Sequence, residues 1–326
     1  MEIKEMYPLP ESAKMLKANF DTEICNILNC KSDKKLLIIG PCSADNPDAV
    51  KKYFEEIKEI SEQINDRWLT VARVFTNKPR TGDGYRGLAV QPDPLKAPDP
   101  FSGLIAARRL HCEILGDIGL PTADELLYPQ DYRYFSDVVS YLTVGARSVT
   151  NQEHRLVAGG AEAPVGFKNP VDGDINTMLS AVASGTKPKD FIYRGWAVRS
   201  DGNEYCHAIL RGKTDFNGER KSNISADEIC HLCEKLPLAN PVNPAFIIDC
   251  SHDNSGRNPF NQENILTQAL LTLSSLPSAE KLFKGFMIES YIYDGKCGGS
   301  EYTPGKSITD PCLGIKKTKE LLLKYL

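Results

Sequence analysis

The chain has 326 residues, 41% of them hydrophobic and 25% charged, the proportions of a soluble globular protein. A formal net charge of −4 argues against a nucleic-acid partner, and no apolar run approaches the roughly 20 residues that a membrane helix needs. The start, MEIKEMYPLP, lacks the apolar core of a signal peptide; the expected address is the cytoplasm, where ten cysteines stay reduced rather than forming a disulfide framework.

Residues 1–30 read as an N-terminal extension and residues 31–326 as one domain. KLLIIG (35–40) is the first buried strand, and AVKKYFEEIKEISEQI (49–64) has the apolar spacing of a helix. WLTVARVF (68–75) is the second strand, with a helix over SGLIAARRLHCEILGDIG (102–119). PTADELL (121–127), YLTVGAR (141–147) and APVGFKN (163–169) follow as strands three to five. DFIYRGW (190–196) reads as the sixth strand. VRSDGNEYCHAILRG then reads as an inserted β-hairpin about Asp201-Gly202. AFIIDCS (245–251), the helix ENILTQALLTLSSL (263–276) and FKGFMIES (283–290) complete the pattern. Eight strands with helices between them predict an α/β fold: a (β/α)8 TIM barrel with an N-terminal extension and a β-hairpin insertion after the sixth strand.

Each strand but the sixth ends on a residue able to do chemistry. Strand one gives Cys42. Strand two gives Arg73, then Lys78 and Arg80. Strand three carries Glu125, strand four Arg147, strand five Lys168, strand seven His252 and strand eight Glu289. In a barrel that edge is the ligand-binding mouth. A lone lysine or arginine is usually a solvated charge, and a lone histidine or cysteine usually packs. Shared placement at strand ends argues for a site instead.

Two chemistries converge there. Cys42, His252, Glu289 and a candidate Asp310 would suit Mn²⁺, Fe²⁺, Co²⁺ or Zn²⁺ better than Ca²⁺. Arg73, Lys78, Arg80, Arg147, Lys168 and Arg211 would repel one another without a polyanion, so phosphate and carboxylate are the expected guests. In Lys78-Pro79-Arg80-Thr81, two cations and a hydroxyl can hold one phosphate. These residues describe a metal-assisted barrel enzyme acting on phosphorylated, carboxylated small molecules, and leave condensation, hydrolysis and isomerisation open.

Two motifs are decoys. Gly82 to Gly87 matches GxGxxG, but the cationic loop separates it from the strand and prolines follow it, so no dinucleotide site is expected. Cys230 and Cys233 form a CxxC with no second pair, inside SADEICHLCEKL, where Ile229, Leu232 and Cys233 share a helical face; packing explains them.

The set IIGPCSADN, ARVFTNKPRTGDGYRGL, GLPTADELL, VGARSVTNQEHR, PVGFKN, HAILRG, DCSHDNS, MIESY and GKSITDPC resembles class I 3-deoxy-D-arabino-heptulosonate 7-phosphate (DAHP) synthase, collinear over residues 35–315. The resemblance implies condensation of phosphoenolpyruvate with erythrose 4-phosphate, the first step of the shikimate route to aromatic amino acids. It implies one divalent metal on Cys42, His252, Glu289 and Asp310, the last placed by resemblance alone. Arg73, Lys78, Glu125, Arg147, Lys168 and Arg211 would hold phosphoenolpyruvate, and Arg80 and Thr81 the aldose phosphate. Lys78, Arg73 and His252 would serve the chemistry. Asp249 is expected to orient the site rather than ligate, and Cys42 to be oxidisable, with Cys312 as the partner thiol.

The resemblance further implies a homodimer or homotetramer. Ala158 to Ala163 departs from the family at its outer effector pocket, with Glu162 beside an effector's carboxylate, so weak or absent feedback inhibition is expected. Two rival readings remain: a related barrel synthase for another phosphosugar, and a non-catalytic metabolite-binding barrel.

Overall fold

The computed structural model describes residues 3–80, 82–298 and 301–326. Its main sheet is a closed parallel barrel. The staves are β1 (Lys35–Gly40), β2 (Trp68–Arg73), β3 (Thr122–Glu125), β4 (Val139–Val144), β5 (Val165–Lys168), β6 (His207–Leu210), β7 (Phe246–Asp249) and β8 (Phe283–Tyr291). Each pairs with the next, and β8 pairs back onto β1, with Leu36 opposite Gly285 and Gly40 opposite Glu289. Glycine is needed on both of these strands, at Gly285 against β1 and at Gly40 against β2. A Cβ on Gly40 would lie 2.2 Å from Arg73 O, and one on Gly285 would lie 2.0 Å from Leu36 O.

The stave sequences are almost wholly apolar because both faces are covered. Leu36, Ile38, Leu69, Val71, Ile209, Ile247 and Met287 fill the barrel interior, while Leu37, Ile39, Ala72, Phe246 and Ile248 pack outward under the helices. The N-terminal helix Glu11–Leu28 joins the interior cluster through Ile24, Ile27 and Leu28, all at most 1% exposed. It closes the floor, leaving the opposite, C-terminal end of the staves as the mouth. Local sequence sets the helix starts: Asn46 and Asp99, each before a proline, accept hydrogen bonds from the amides of Ala49 and Ser102. Ser225 and Glu228 form a capping box that opens Ala226–Ala239, the helix carrying the CxxC pair. Its two cysteines are half-buried, and all ten cysteines are unpaired. Among the described residues no helix is long and apolar enough to cross a membrane.

One stave differs from expectation. DFIYRGW is not the sixth strand; Lys189–Tyr193 pairs antiparallel with Trp196–Ser200 in a hairpin outside the barrel. The sixth stave is His207–Leu210, between β5 and β7. Burial is the physical reason: HAIL is enclosed on both faces, whereas Ile192 and Trp196 are 71% and 76% exposed. The turn falls at Arg194-Gly195, both with positive φ, as a two-residue hairpin requires. Gly202 is instead a bend where a Cβ would meet Thr186 O at 2.3 Å. The expected order is thus reversed, since this hairpin precedes the sixth stave. A smaller one, Lys213–Thr214 with Arg220–Lys221, follows it.

Candidate active site

The mouth holds a cavity of about 370 Å³ lined by Arg73, Lys78, Arg80, Glu125, Arg147, Lys168, Arg211, His252 and Asp310, together with Arg257. Nine expected residues from six stave ends and the loop after β8 therefore share one space. Cys42 reaches it through Lys78, and Glu289 lines an adjoining cleft with His252 and Asp310. Thr81 lies outside the described residues.

Buried cations in the mouth are aimed by carboxylates. Arg73, 1% exposed, places Nη2 2.8 Å from Glu289 Oε1, also donates to Pro41 O, and lies over the Phe75 ring at 3.8 Å. Lys168 Nζ donates to Asp249 Oδ2 at 2.9 Å, and Arg211 Nη1 to Asp253 Oδ2 at 2.7 Å. Arg80 and Arg147 are exposed at the rim, where Arg80 Nε donates to Tyr85 O at 3.0 Å. Burial raises the Glu125 carboxyl above its ordinary range despite the cations nearby.

The four expected metal donors stand as two pairs. Cys42 Sγ is 3.6 Å from Asp310 Oδ2, and His252 Nε2 is 3.7 Å from Glu289 Oε1. A cation attends both pairs: Lys78 Nζ lies 2.7 Å from Cys42 Sγ and 3.2 Å from Asp310 Oδ2, and Arg73 holds Glu289. Among the described residues no three or more such side chains stand at metal-holding spacing. The donor chemistry nevertheless fits a borderline divalent ion: a thiol, an imidazole and two carboxylates, each already turned towards positive charge or towards another donor.

Electrostatics explain the pairing. Burial, helped by Glu289, pushes the Cys42 thiol up to about 11, so it needs a cation to ionise. Burial disfavours charge on Lys78, but Cys42, Asp310 and Glu289 outweigh it and keep the ammonium charged. Burial likewise opposes ionisation of Asp249 and Asp310, yet His252 and Lys168 hold the first well below the carboxylate range, and Lys78 and His252 hold the second below it. Burial lowers His252. Its Nδ1 sits 2.8 Å from ionised Asp249, an acceptor only, so Nδ1 carries the hydrogen and Nε2 presents its lone pair. Asp249 thus contacts both His252 and Lys168. His252 has φ 46, a left-handed conformation that costs a non-glycine residue energy and recurs at functional sites. Cys312 is adjacent to Cys42: its Sγ accepts from the Cys42 amide at 3.3 Å.

Sequence reasoning passed over several supporting groups. Asp124 accepts from Thr76 N and Oγ1 (2.8 and 2.6 Å) and faces His111 Nε2 at 3.1 Å, fixing the start of the Lys78–Arg80 loop. Gln262 clamps Glu289 by both backbone groups at 2.9 Å. Asp253 was not singled out, although the spacing Asp249…Asp253 around His252 offered a signal; Arg257 carried none. On the barrel flank a second cavity, about 540 Å³, is lined by Tyr132, Gly160, Glu162, Phe191 and Tyr193, among others.

Fold and mouth together define a class: a (β/α)8 barrel whose stave ends gather cationic side chains around one cavity. Residues 10–323 match the model of the DAHP synthetase I family. Among curated proteins, the chain is 34% identical to the Phe-sensitive phospho-2-dehydro-3-deoxyheptonate aldolase of Escherichia coli, over 98% of this chain and 90% of that one. It is 32% identical to the Haemophilus influenzae phospho-2-dehydro-3-deoxyheptonate aldolase, over 98% and 87%. A solved structure of that aldolase from Francisella tularensis superposes with a TM-score of 0.90 at 30% identity, covering 98% of this chain and 93% of the other. The chain belongs to the DAHP synthetase I family.

Proposed function

We infer that this chain is a DAHP synthase, condensing phosphoenolpyruvate with D-erythrose 4-phosphate and water to give DAHP and phosphate. One observation supports this most: seven basic side chains from separate stave ends and loops line a single cavity beside the Cys42–Lys78–Asp310 cluster. No ordinary surface gathers so much positive charge without an anionic guest.

In this reading Arg73, Lys78, Arg147, Lys168 and Arg211 hold phosphoenolpyruvate, with Glu125 alongside, and Arg80 and Thr81 take the phosphate of the aldose. Cys42, His252, Glu289 and Asp310 would hold a divalent ion, Mn²⁺, Fe²⁺, Co²⁺ or Zn²⁺, whose role is to polarise the aldehyde as a Lewis acid. The chain's own groups do the rest. Asp249 and Asp253 aim Lys168 and Arg211 at the anion, so those charges need no reorganisation during reaction. Lys78, kept charged by Cys42 and Asp310, hydrogen-bonds oxygen as negative charge develops on it. His252, tautomer fixed by Asp249, keeps Nε2 free of hydrogen. A homodimer or homotetramer is the proposed assembly and the cytoplasm the proposed compartment, which ten unpaired cysteines favour.

The test is turnover by EDTA-stripped protein given both substrates under reducing conditions, with and without Mn²⁺. Metal-dependent loss of phosphoenolpyruvate with stoichiometric phosphate release is expected. No consumption with any divalent metal would return the chain to a binding role, and preference for arabinose 5-phosphate would reassign the sugar.

A further inference from the structure

We propose that Arg257 is a further substrate-binding residue, contacting the phosphate of phosphoenolpyruvate together with Arg211; this rests on the reading above. Arg257 lies five residues past His252, with φ 61, and its amide donates to His252 O at 2.7 Å. The loop is thereby folded back so that a side chain remote from the stave end re-enters the mouth. It lines both the main cavity and the cleft formed by His252, Glu289 and Asp310.

Asp253 yokes the two arginines. Its Oδ2 accepts from Arg211 Nη1 at 2.7 Å and from Thr214 Oγ1 at 2.9 Å, while its Oδ1 accepts from Arg257 Nε at 3.2 Å. Arg220 Nε adds a third guanidinium, 3.7 Å from Oδ1. One carboxylate neutralises one of these charges, so the cluster carries surplus positive charge beside the cavity. Arg257 is held charged: burial opposes it, but Asp253, Asp310 and Glu289 outweigh burial. Committing Nε to Asp253 leaves the terminal nitrogens for the cavity that the side chain lines. An anion gripped by Arg211 lies within reach of the second fork, and a phosphate has oxygens enough for both.

The experiment titrates the full-length protein with phosphoenolpyruvate alone, and separately with inorganic phosphate, by calorimetry, alongside steady-state kinetics. Losing one charge-assisted contact, Arg257→Met should weaken phosphoenolpyruvate binding about tenfold and raise its KM by a similar factor. KM for erythrose 4-phosphate should not move, and Arg257→Lys should recover part of the loss. In an Arg211→Met background, Arg257→Met should weaken binding further. If that second loss vanishes, Arg257 acts only by aiming Arg211 and the proposal falls. Unchanged affinity in Arg257→Met, or a changed KM for the aldose phosphate alone, overturns it too. Circular dichroism checks that each variant folds, and Arg257→Lys serves where Arg257→Met does not. A parent protein that binds phosphoenolpyruvate but never turns it over sinks the proposed reaction, while the affinity comparison still decides Arg257. A parent that binds neither ligand sinks both.

Discussion

The two ends of one barrel follow opposite rules. At the floor, Ile24, Ile27 and Leu28 of the N-terminal helix press against Leu36, Leu69 and Ile247, with no charge among them. At the mouth, staves of the same barrel end in Arg73, Lys168 and Glu289, each buried and each paired. Floor groups are interchangeable in kind and count by volume. Mouth groups count by charge and direction, and burying them adds little stability, because desolvation roughly cancels attraction. The contrast shows which end carries folding and which carries chemistry.

Three substitutions test that division, in falling order of effect. His252→Ala should lower kcat at least about a thousandfold through loss of the Nε2 lone pair at the mouth, while its unfolding free energy in urea changes by no more than about 1 kcal/mol. A large loss of stability there would erase the distinction between the ends. Ile27→Ala should do the reverse, costing about 3 kcal/mol in urea denaturation with both KM values unchanged. A kinetic effect without destabilisation would mean that the floor communicates with the mouth.

The third lies in the short helix that follows β3. Burial, then the charge of Asp124, pushes the Asp131 carboxyl up to about 6, against a hydrogen bond from Asn77. A carboxyl near 4 in the unfolded chain binds its proton more tightly once folded, so its contribution is complete below pH 4 and drains away as pH rises towards 6. Asp131→Asn should remove that slope and leave the variant more stable than the parent by about 1 kcal/mol at pH 8, after allowance for solvent screening. Parallel stability curves from pH 4 to 8 would show that Asp131 is not held protonated.

Much of this was legible because a buried parallel stave is an apolar run whose first polar residue marks the mouth. Arg73, Lys168 and Glu289 could be read that way. The rule failed at DFIYRGW, whose aromatic and β-branched residues suit any strand; only pairing partners reveal that Ile192 faces solvent. HAIL, four residues long, was too short to outweigh it. Asp310 sits in a loop after β8 and was named by resemblance, since no periodicity marks a loop. Arg257 and Asp124 were missed for a related reason: their importance comes from what they touch across the fold, and contacts between distant loops leave no local signature.

The seam between β1 and β8 has a consequence for how the chain is made. Leu36 finds its partner only when Gly285 has been synthesised, so the first stave keeps an unpaired apolar edge through most of translation. Ring closure is therefore a late, long-range event, and the growing polypeptide is most exposed to misassociation just before its last stave arrives. Gly285 then settles against the Leu36 carbonyl, where any side chain would jam the joint, which makes the seam a latch that shuts once, in one register.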